Sequence, residues 1–487
     1  MNAFGLPGLA PDAAPPAVDV LLLACYEMGH QPLSLAWPAS ILRREGFTVA
    51  AVDLAVDALP RDVAARARFV GVSVPMHTAL RLGIRAAADV HALNPDAHIC
   101  FFGLYAWLNA AYLLANGADS VLAGEMEEAL VERVVAATTG RQPRTTDRGP
   151  QTTVPRRQAS GNDQRTTSDP RPSPHLVRLS LPVPDRQGLP PLARYARYLD
   201  GDNMRLAGYV EASRGCLHTC RHCPVVPVYG GRFFVVPVET VLADVRQQVA
   251  AGAEHITFGD PDFLNGPGHA LKITRALHAE FPWLTFDFTT KVEHILQHRA
   301  LLPELRALGA SFVVSAFESV SDETLRRLRK GHTAADMDTA LSLLSSAGLP
   351  VQPTWLPFTP WTTLDDYVNL LDWIRARGLI ANVPAVQLSI RLLVPPGSAL
   401  LDEPETAAWL GPLDPANFSY TWRNPDPCVD ELQRQAAAIA ERAGDAEEVF
   451  VAIERLAYGM AGRRPPEFAP RGHPNPAPPR LTEDWFC

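Results

Sequence analysis

The chain has 487 residues, 47% of them hydrophobic, and a formal net charge of -9. That length allows two or three domains with sizeable cores, and the acidic balance points to neither nucleic acid nor an anionic membrane surface as partner. Met1-Asn-Ala-Phe-Gly-Leu-Pro lacks a basic segment followed by an apolar core, and no stretch reaches the roughly 18 apolar residues of a membrane span. Seven cysteines, four of them scattered at 25, 100, 428 and 487, suit a reducing compartment rather than a disulfide framework, so a cytoplasmic protein is expected.

Residues 18–137 read as an α/β domain. Short apolar runs at Val18–Ala24, Phe47–Asp53, Phe69–Val74, Ala97–Phe102 and Ser120–Glu125 alternate with helical patterns at 36–45, 78–92 and 106–116 and after 125. That alternation predicts a doubly wound parallel sheet whose ligands sit beyond the carboxyl ends of the strands. Residues 140–176 exchange apolar periodicity for Arg, Thr, Gln, Pro and Ser and read as a disordered linker. From Tyr209, strands are predicted at 209–213, 255–260, 285–290, 312–318, 351–356 and 386–391. Six βα units between about 205 and 400 suggest a partial barrel with its chemistry at the strand carboxyl ends. Residues 401–460 read as mostly helical, and a proline-rich tail, 463–487, carries the terminal Trp485-Phe-Cys487.

Just past the first barrel strand lies Glu211-Ala-Ser-Arg-Gly-Cys-Leu-His-Thr-Cys-Arg-His-Cys-Pro224. Cys216, Cys220 and Cys223 can hold three irons of a [4Fe–4S] cube and leave the fourth open, whereas a closed zinc or fully protein-ligated cluster takes four ligands. The zinc alternative recruits His218 or His222. The motif and its βα context resemble the radical S-adenosylmethionine (SAM) superfamily, in which the open iron is chelated by SAM and the reduced cluster splits the sulfonium to a 5′-deoxyadenosyl radical.

The resemblance covers roughly residues 205–400. It extends to Phe258-Gly-Asp-Pro-Asp262, where Asp260 or Asp262 would meet the SAM ammonium, with helix capping as the other use of either. It extends also to Ser315–Leu325 with Arg329-Lys-Gly-His-Thr333, where Glu318 and Ser319 would contact SAM. In Gln387–Ser398, Gln387 and Ser389 belong to the stretch that would line the adenine. Leu356-Pro-Phe-Thr-Pro-Trp-Thr-Thr363 departs from the family's usual fifth-strand loop, and Trp355, Phe358 and Trp361 there serve packing or an aromatic ligand.

The first domain resembles the cobalamin-binding domain that precedes many of these enzymes, through Gly29–Ala36, Val72–Thr78, Asn94–Asp96 with Phe102–Tyr105, and Gly124–Glu128. The resemblance implies cobalamin near Tyr26, His30, Ser73, Gly103 and Gly124. Asp96-Ala-His-Ile-Cys-Phe101 nearly matches a cobalt-ligating motif, but it runs into a late strand, so His98 reads as structural. A domain that has lost cobalamin and serves docking is the alternative. The fold implied is a doubly wound cobalamin-binding-like domain, a partial (β/α)6 radical SAM barrel and a helical carboxyl-terminal region. The function implied is cobalamin-dependent methyl transfer to an unactivated centre of a small-molecule or peptide substrate, with a ferredoxin or flavodoxin as electron donor. Radical rearrangement, redox chemistry at a Cys487 thiol, and a metal-bound interaction protein are the alternatives. The tail also resembles a group whose chains continue Cys-Cys-Ala-Glu-Pro, or with selenocysteine second, so a selenocysteine codon read as a stop after Cys487 is a further expectation.

Overall fold

The structure, a computed structural model, describes residues 18–140, 171–442, 445–465 and 478–483. The first domain alternates β1 (Val20–Ala24), α1 (Leu33–Arg44), β2 (Val49–Asp53), α2 (Arg61–Ala64), β3 (Phe69–Ser73), α3 (His77–Leu93), β4 (His98–Phe102), α4 (Leu104–Leu108), α5 (Ala110–Ala115), β5 (Ser120–Leu122) and α6 (Glu127–Thr139). The strands form one sheet in the order β2-β1-β3-β4-β5, every pair parallel. All five residues of β1 and of β3 are buried, as befits strands covered by helices on both faces. The order reverses between β1 and β3, so the loops after these two strands flank the crevice where such sheets bind ligands. The helix expected over 106–116 is two pieces. Asn109 breaks it, and its buried side-chain amide donates to the Tyr105 carbonyl at 3.0 Å.

The reading of 140–176 as a linker needs a correction at its end. Residues 141–170 lie outside the described residues, but 171–175 are seated on the first domain. His175 N–H donates to the Ala123 carbonyl (2.9 Å), and Glu125 N–H to the His175 carbonyl (2.7 Å). Trp107 Nε1–H reaches the Pro172 carbonyl (2.6 Å), and the Arg171 guanidinium lies 4.4 Å from the Trp107 ring centroid. Gly124 permits this: its φ is +79°, and a Cβ there would stand 2.0 Å from the His175 carbonyl oxygen. Gly124→Ala is therefore expected to cost about 1 kcal/mol or more. Trypsin should cut faster after the exposed Arg178 in the variant than in the parent; equal rates would show that the seat does not depend on this glycine.

The second unit is built from β6 (Arg197–Asp200), β7 (Asn203–Val210), β8 (Ser213–Gly215), α7 (Val225–Tyr229), β9 (Phe233–Val235), α8 (Val238–Ala250), β10 (His255–Phe258), α9 (Pro267–Glu280), β11 (Thr285–Thr290), α10 (Val292–Gln297), α11 (Leu302–Ala307), β12 (Ala310–Glu318), α12 (Asp322–Leu328), α13 (Ala334–Ser346), β13 (Val351–Trp355) and α14 (Leu364–Ala376). β7, β10, β11, β12 and β13 run parallel and in that order, a curled half-barrel sheet. Period-two alternation sends Phe286 and Phe288 into the apolar layer under the helices and leaves Thr285, Asp287 and Thr289 on the opposite face. Pro353 is tolerated in β13 because that strand is the sheet's edge.

The sixth parallel strand expected at 386–391 does not form. Residues Ala385–Leu388 make a 3-10 turn, and only Arg391 bridges to Phe358. The Gln387 side-chain oxygen accepts the Trp355 N–H at 2.8 Å, doing for the end of β13 what a neighbouring strand's carbonyl would have done. The half-barrel instead gains antiparallel strands on its other edge. β6 pairs with β7 across the two-residue turn Gly201-Asp202, and β6 pairs with β16 (Arg480–Leu481). Pro479 also accepts the Gln352 side-chain amide of β13 at 3.4 Å, so residues 479–481 touch both edges of the open sheet. Leu481 packs on Tyr198, Ala207, Phe312 and Val314. Glu483 then accepts a 2.8 Å hydrogen bond from the Tyr26 hydroxyl of the first domain.

The region expected to be mostly helical opens with a hairpin, β14 (Leu410–Asp414) and β15 (Ser419–Trp422), before α15 (Pro427–Ala440) and α16 (Ala446–Met460). Arg375 anchors α16 to α14 through two 2.6 Å bonds to Glu454. The two domains share their cores: Leu33, Ala36 and Trp37 of α1 join the barrel's apolar cluster, while Val225, Val228 and Tyr229 of α7 join the first domain's. No helix among the described residues is long and apolar enough to cross a membrane.

Candidate metal and cofactor site

β7 ends at the mouth of the half-barrel, and the short β8–β9 ribbon pins the loop that follows. Gly215, at φ +76°, turns the chain into Cys216, whose N–H donates to the Arg232 carbonyl (3.0 Å). Cys223 N–H donates to the Cys220 carbonyl (3.2 Å), folding the loop back so that the three thiols interact with one another. Cys216 and Cys220 are buried. Burial pushes the Cys216 thiol up and the Cys223 thiol up to about 12, although the His218 and Val225 amides donate to these two sulfurs. A metal that displaces those protons relieves the cost. The donor set suits a three-thiolate [4Fe–4S] cluster. The histidines that a closed zinc site would need point to carboxylates instead: His218 lies 3.5 Å from Asp262 and His222 3.2 Å from Glu318.

Those carboxylates come from the ends of the next strands. Asp262 is fully buried and accepts from Leu264 N–H (3.0 Å) and Thr290 Oγ1 (2.9 Å), with His294 Nδ1 2.9 Å from its carboxylate. Burial opposes its charge, but the neighbouring His218 and His294 rings and the Thr290 hydroxyl outweigh that and hold it well below the usual carboxylate range. Glu318, at the end of β12, adopts φ +66°, a strained backbone for a residue with a Cβ. Its Oε1 meets Lys330 Nζ at 3.0 Å as well as His222. Burial raises its pKa, yet Lys330 and His222 together hold it far below the ordinary range. Lys330 is itself buried, close enough to Cys220 and Cys223 to feel their charge.

Asp262 and Glu318 thus flank the cysteine loop as expected of groups at the strand carboxyl ends. Asp260 lies beneath the loop, accepting from Ala212 N–H (2.9 Å) and Ser213 Oγ (2.5 Å), with burial pushing its pKa up to about 6. Ser319 Oγ accepts the Ser321 N–H. Gln387 and Ser389 build the last loop: the Ser389 hydroxyl donates to the Val386 carbonyl, and neither side chain is brought against the cysteine loop by any of these bonds. Sequence reasoning missed Lys330, His294 and Asn265. The first lay inside a quoted motif, and the other two carry no spacing signal.

The five positions expected to meet cobalamin are all engaged by protein. Tyr26 donates to Glu483. His30 is buried and stacks on Tyr209 at 4.4 Å, not solvated as loop histidines usually are. Ser73 donates to Ser34 at 2.6 Å. Gly103 turns at φ +109° beneath the Val74 carbonyl, and Gly124 is paired with His175. His98 is structural as expected, 2.8 Å from Ser120 Oγ and stacked on Phe69. Cys487 lies outside the described residues.

Between the domains stands a group of acids around one cation. Arg214, next to the cysteine loop, reaches Glu127 (2.5 Å), Glu125 (3.5 Å) and Glu211 (3.4 Å) and lies 4.2 Å over the Trp37 ring. Burial pushes Glu211 up to about 7, even with Arg214 beside it. It also pushes Glu27, bonded by Ser34, up to about 8. A carboxyl whose folded pKa is raised binds a proton that the unfolded chain has released, so its stabilisation is complete below the unfolded value and is lost as pH rises through the folded one. Stability is therefore expected to fall between about pH 5 and 8. Glu27→Gln should flatten that fall in urea-midpoint measurements; an unchanged slope would place the titration elsewhere.

The Radical SAM superfamily profile matches residues 210–374. A putative methylthiotransferase of Methanocaldococcus jannaschii is 24% identical over 199 residues, which is 38% of this chain and 42% of that protein. The chain therefore spans well under two thirds of that relative. Among solved structures, the cobalamin-dependent SAM radical enzyme OxsB, with aqua-cobalamin and SAM bound, superposes with a TM-score of 0.65 at 14% identity over 91% of this chain and 72% of its own. The radical SAM methyltransferase TsrM of Kitasatospora setae, with cobalamin and [4Fe–4S] cluster bound, gives 0.59 at 16% over 91% and 89%. At these identities the likeness establishes the fold.

Proposed function

We propose that this chain, which carries a radical SAM domain, uses a [4Fe–4S] cluster on Cys216, Cys220 and Cys223 to cleave SAM and, with cobalamin, methylates an unactivated centre of a small-molecule or peptide substrate. The observation that carries the first half is the placement of three thiols at the mouth of the half-barrel, between Asp262 and Glu318. When bound, the cluster supplies one electron to the sulfonium of SAM, and cobalamin supplies a methyl carrier. The chain's own part is positional. Glu318, held ionised by Lys330 and His222, offers charged acceptor oxygen to SAM donors. Asp262 sits 3.5 Å from His218 of the cysteine loop, and the apolar joint in which Val225, Val228 and Tyr229 pack around Cys216 would limit water at a cluster held there. The electron would come from a ferredoxin- or flavodoxin-type donor.

Cobalamin rests on the doubly wound domain, its strand order and its seat on the barrel. A second reading, SAM cleavage coupled to rearrangement or redox chemistry without methylation, is favoured by one observation: the groups expected to meet the corrin are committed to protein partners. Anaerobically reconstituted protein separates the two. One cobalamin per cluster and transfer of label from methyl-labelled SAM support the first. A cluster that forms 5′-deoxyadenosine without retaining cobalamin supports the second, and absence of a cluster defeats both.

A further inference from the structure

His218 of the cysteine loop, Asp262 after β10 and His294 of α10 come together, with one ring nitrogen or carboxylate oxygen from each within 4.8 Å of the others. His218 Nε2 stands 3.5 Å and His294 Nδ1 2.9 Å from Asp262 Oδ2, the two rings tilted at 53° with centroids 4.5 Å apart. Both nitrogens are buried, and neither makes a hydrogen bond. Leaving them unpartnered is costly. Two ring nitrogens drawn to one oxygen without hydrogen-bonding to it are placed as ligands around a shared point.

The spacing suits a metal ion. Imidazole and carboxylate ligands at about 2.0–2.2 Å stand about 2.8–3.6 Å from one another in octahedral or tetrahedral array, and both separations from Oδ2 fall in that range. The surroundings hold the three groups in place. Leu264 N–H and Thr290 Oγ1 occupy Asp262 Oδ1, so Oδ2, which takes the Lys291 N–H at 3.3 Å, is turned to the rings. Glu293 Oε2, itself tied to Lys291 Nζ (3.1 Å), stands 3.6 Å from His218 Nδ1, on the side where a ligating histidine finds its outer carboxylate. Asn265 Oδ1, 3.8 Å from Cys216 Sγ, accepts the Leu217 N–H (3.2 Å) and fixes the backbone that carries His218.

We propose that His218, Asp262 and His294 form a mononuclear site for a divalent transition-metal ion, distinct from the cluster cysteines. Two imidazoles and one carboxylate suit zinc or ferrous iron and leave coordination positions open. The ion ties the cysteine loop to the end of β10 and to α10, and it makes Asp262 a metal ligand rather than an acceptor for the SAM ammonium. The site is independent of the cluster reading, since none of its three ligands is a cysteine.

The test treats full-length, anaerobically reconstituted protein with zinc chloride, which outcompetes ferrous iron for such donors, and reads zinc and iron after desalting beside His294→Leu. The expected result is about one zinc per chain in the parent, falling at least about tenfold in the variant at equal iron. X-ray absorption at the zinc edge of the parent should show nitrogen and oxygen neighbours at about 2.0–2.2 Å and no sulfur at about 2.3 Å. A parent that keeps no zinc, or a variant that keeps as much, overturns the site while leaving the cluster reading intact. Sulfur neighbours overturn it too, and if the same protein holds no iron they overturn the cluster reading with it. Should His294→Leu fail to fold or to load iron, the zinc edge of the parent decides.

Discussion

Cys220→Ala is expected to abolish 5′-deoxyadenosine formation while the chain stays folded. A cube held by two thiolates has lost one of its protein corners. Since changes to groups that merely support a metal ligand already cost roughly 10–100-fold, removing a ligand should cost at least about a hundred-fold in iron retention or SAM cleavage. The side chain is small and buried, so truncation leaves little cavity, and the thermal transition of the metal-free chain should barely move. Iron content, the charge-transfer absorbance near the visible blue and product formation are read on the same sample. Equal SAM cleavage by variant and parent would refute the assignment of Cys220. A parent that binds one zinc and never cleaves SAM would return the chain to the interaction-protein reading.

The second large effect is expected at Arg214, and it concerns stability more than chemistry. Arg214→Leu strips the shared counter-charge from Glu125 and Glu127, both almost fully buried, and from Glu211. Breaking a buried pair by removing one partner typically costs about 3–5 kcal/mol, and the Trp37 face loses its cation as well. The stranded carboxyls can escape the cost by taking up protons, so the deficit relative to the parent should be largest at neutral pH and shrink toward about pH 4.5. Arg214→Lys restores charge but not the fork, and should recover part of the loss. Urea unfolding across that pH range decides it. A deficit under about 1 kcal/mol that ignores pH would mean the three acids find other partners.

Much of the architecture was legible because parallel strands buried on both faces leave unbroken apolar runs. Val20–Ala24 and Phe69–Ser73 announce themselves in this way, and Thr285–Thr290 forms over the span expected. Where a sixth barrel strand was expected, a 3-10 turn stands instead, and the Gln387 side chain takes up the Trp355 N–H at the end of β13. The β6–β7 hairpin was missed although Asp200-Gly-Asp-Asn203 is a recognisable turn signal, because Arg197 and Asp200 interrupt the apolar alternation. Of the site, the three cysteines were readable from spacing alone. Lys330 and Asn265 were not, since each matters through an atom brought near the thiols by residues far away in sequence.

The contact between Tyr26 and Glu483 joins residues 457 apart in the chain. A ribosome releases the first domain and the parallel strands long before β16 exists, and domains generally fold as they emerge. From the completion of β13 at Trp355 until β16 is made, the rim on β6 has no strand partner on its outer side. Residues 480–483 join the rim of the half-barrel to the first domain after both have been made.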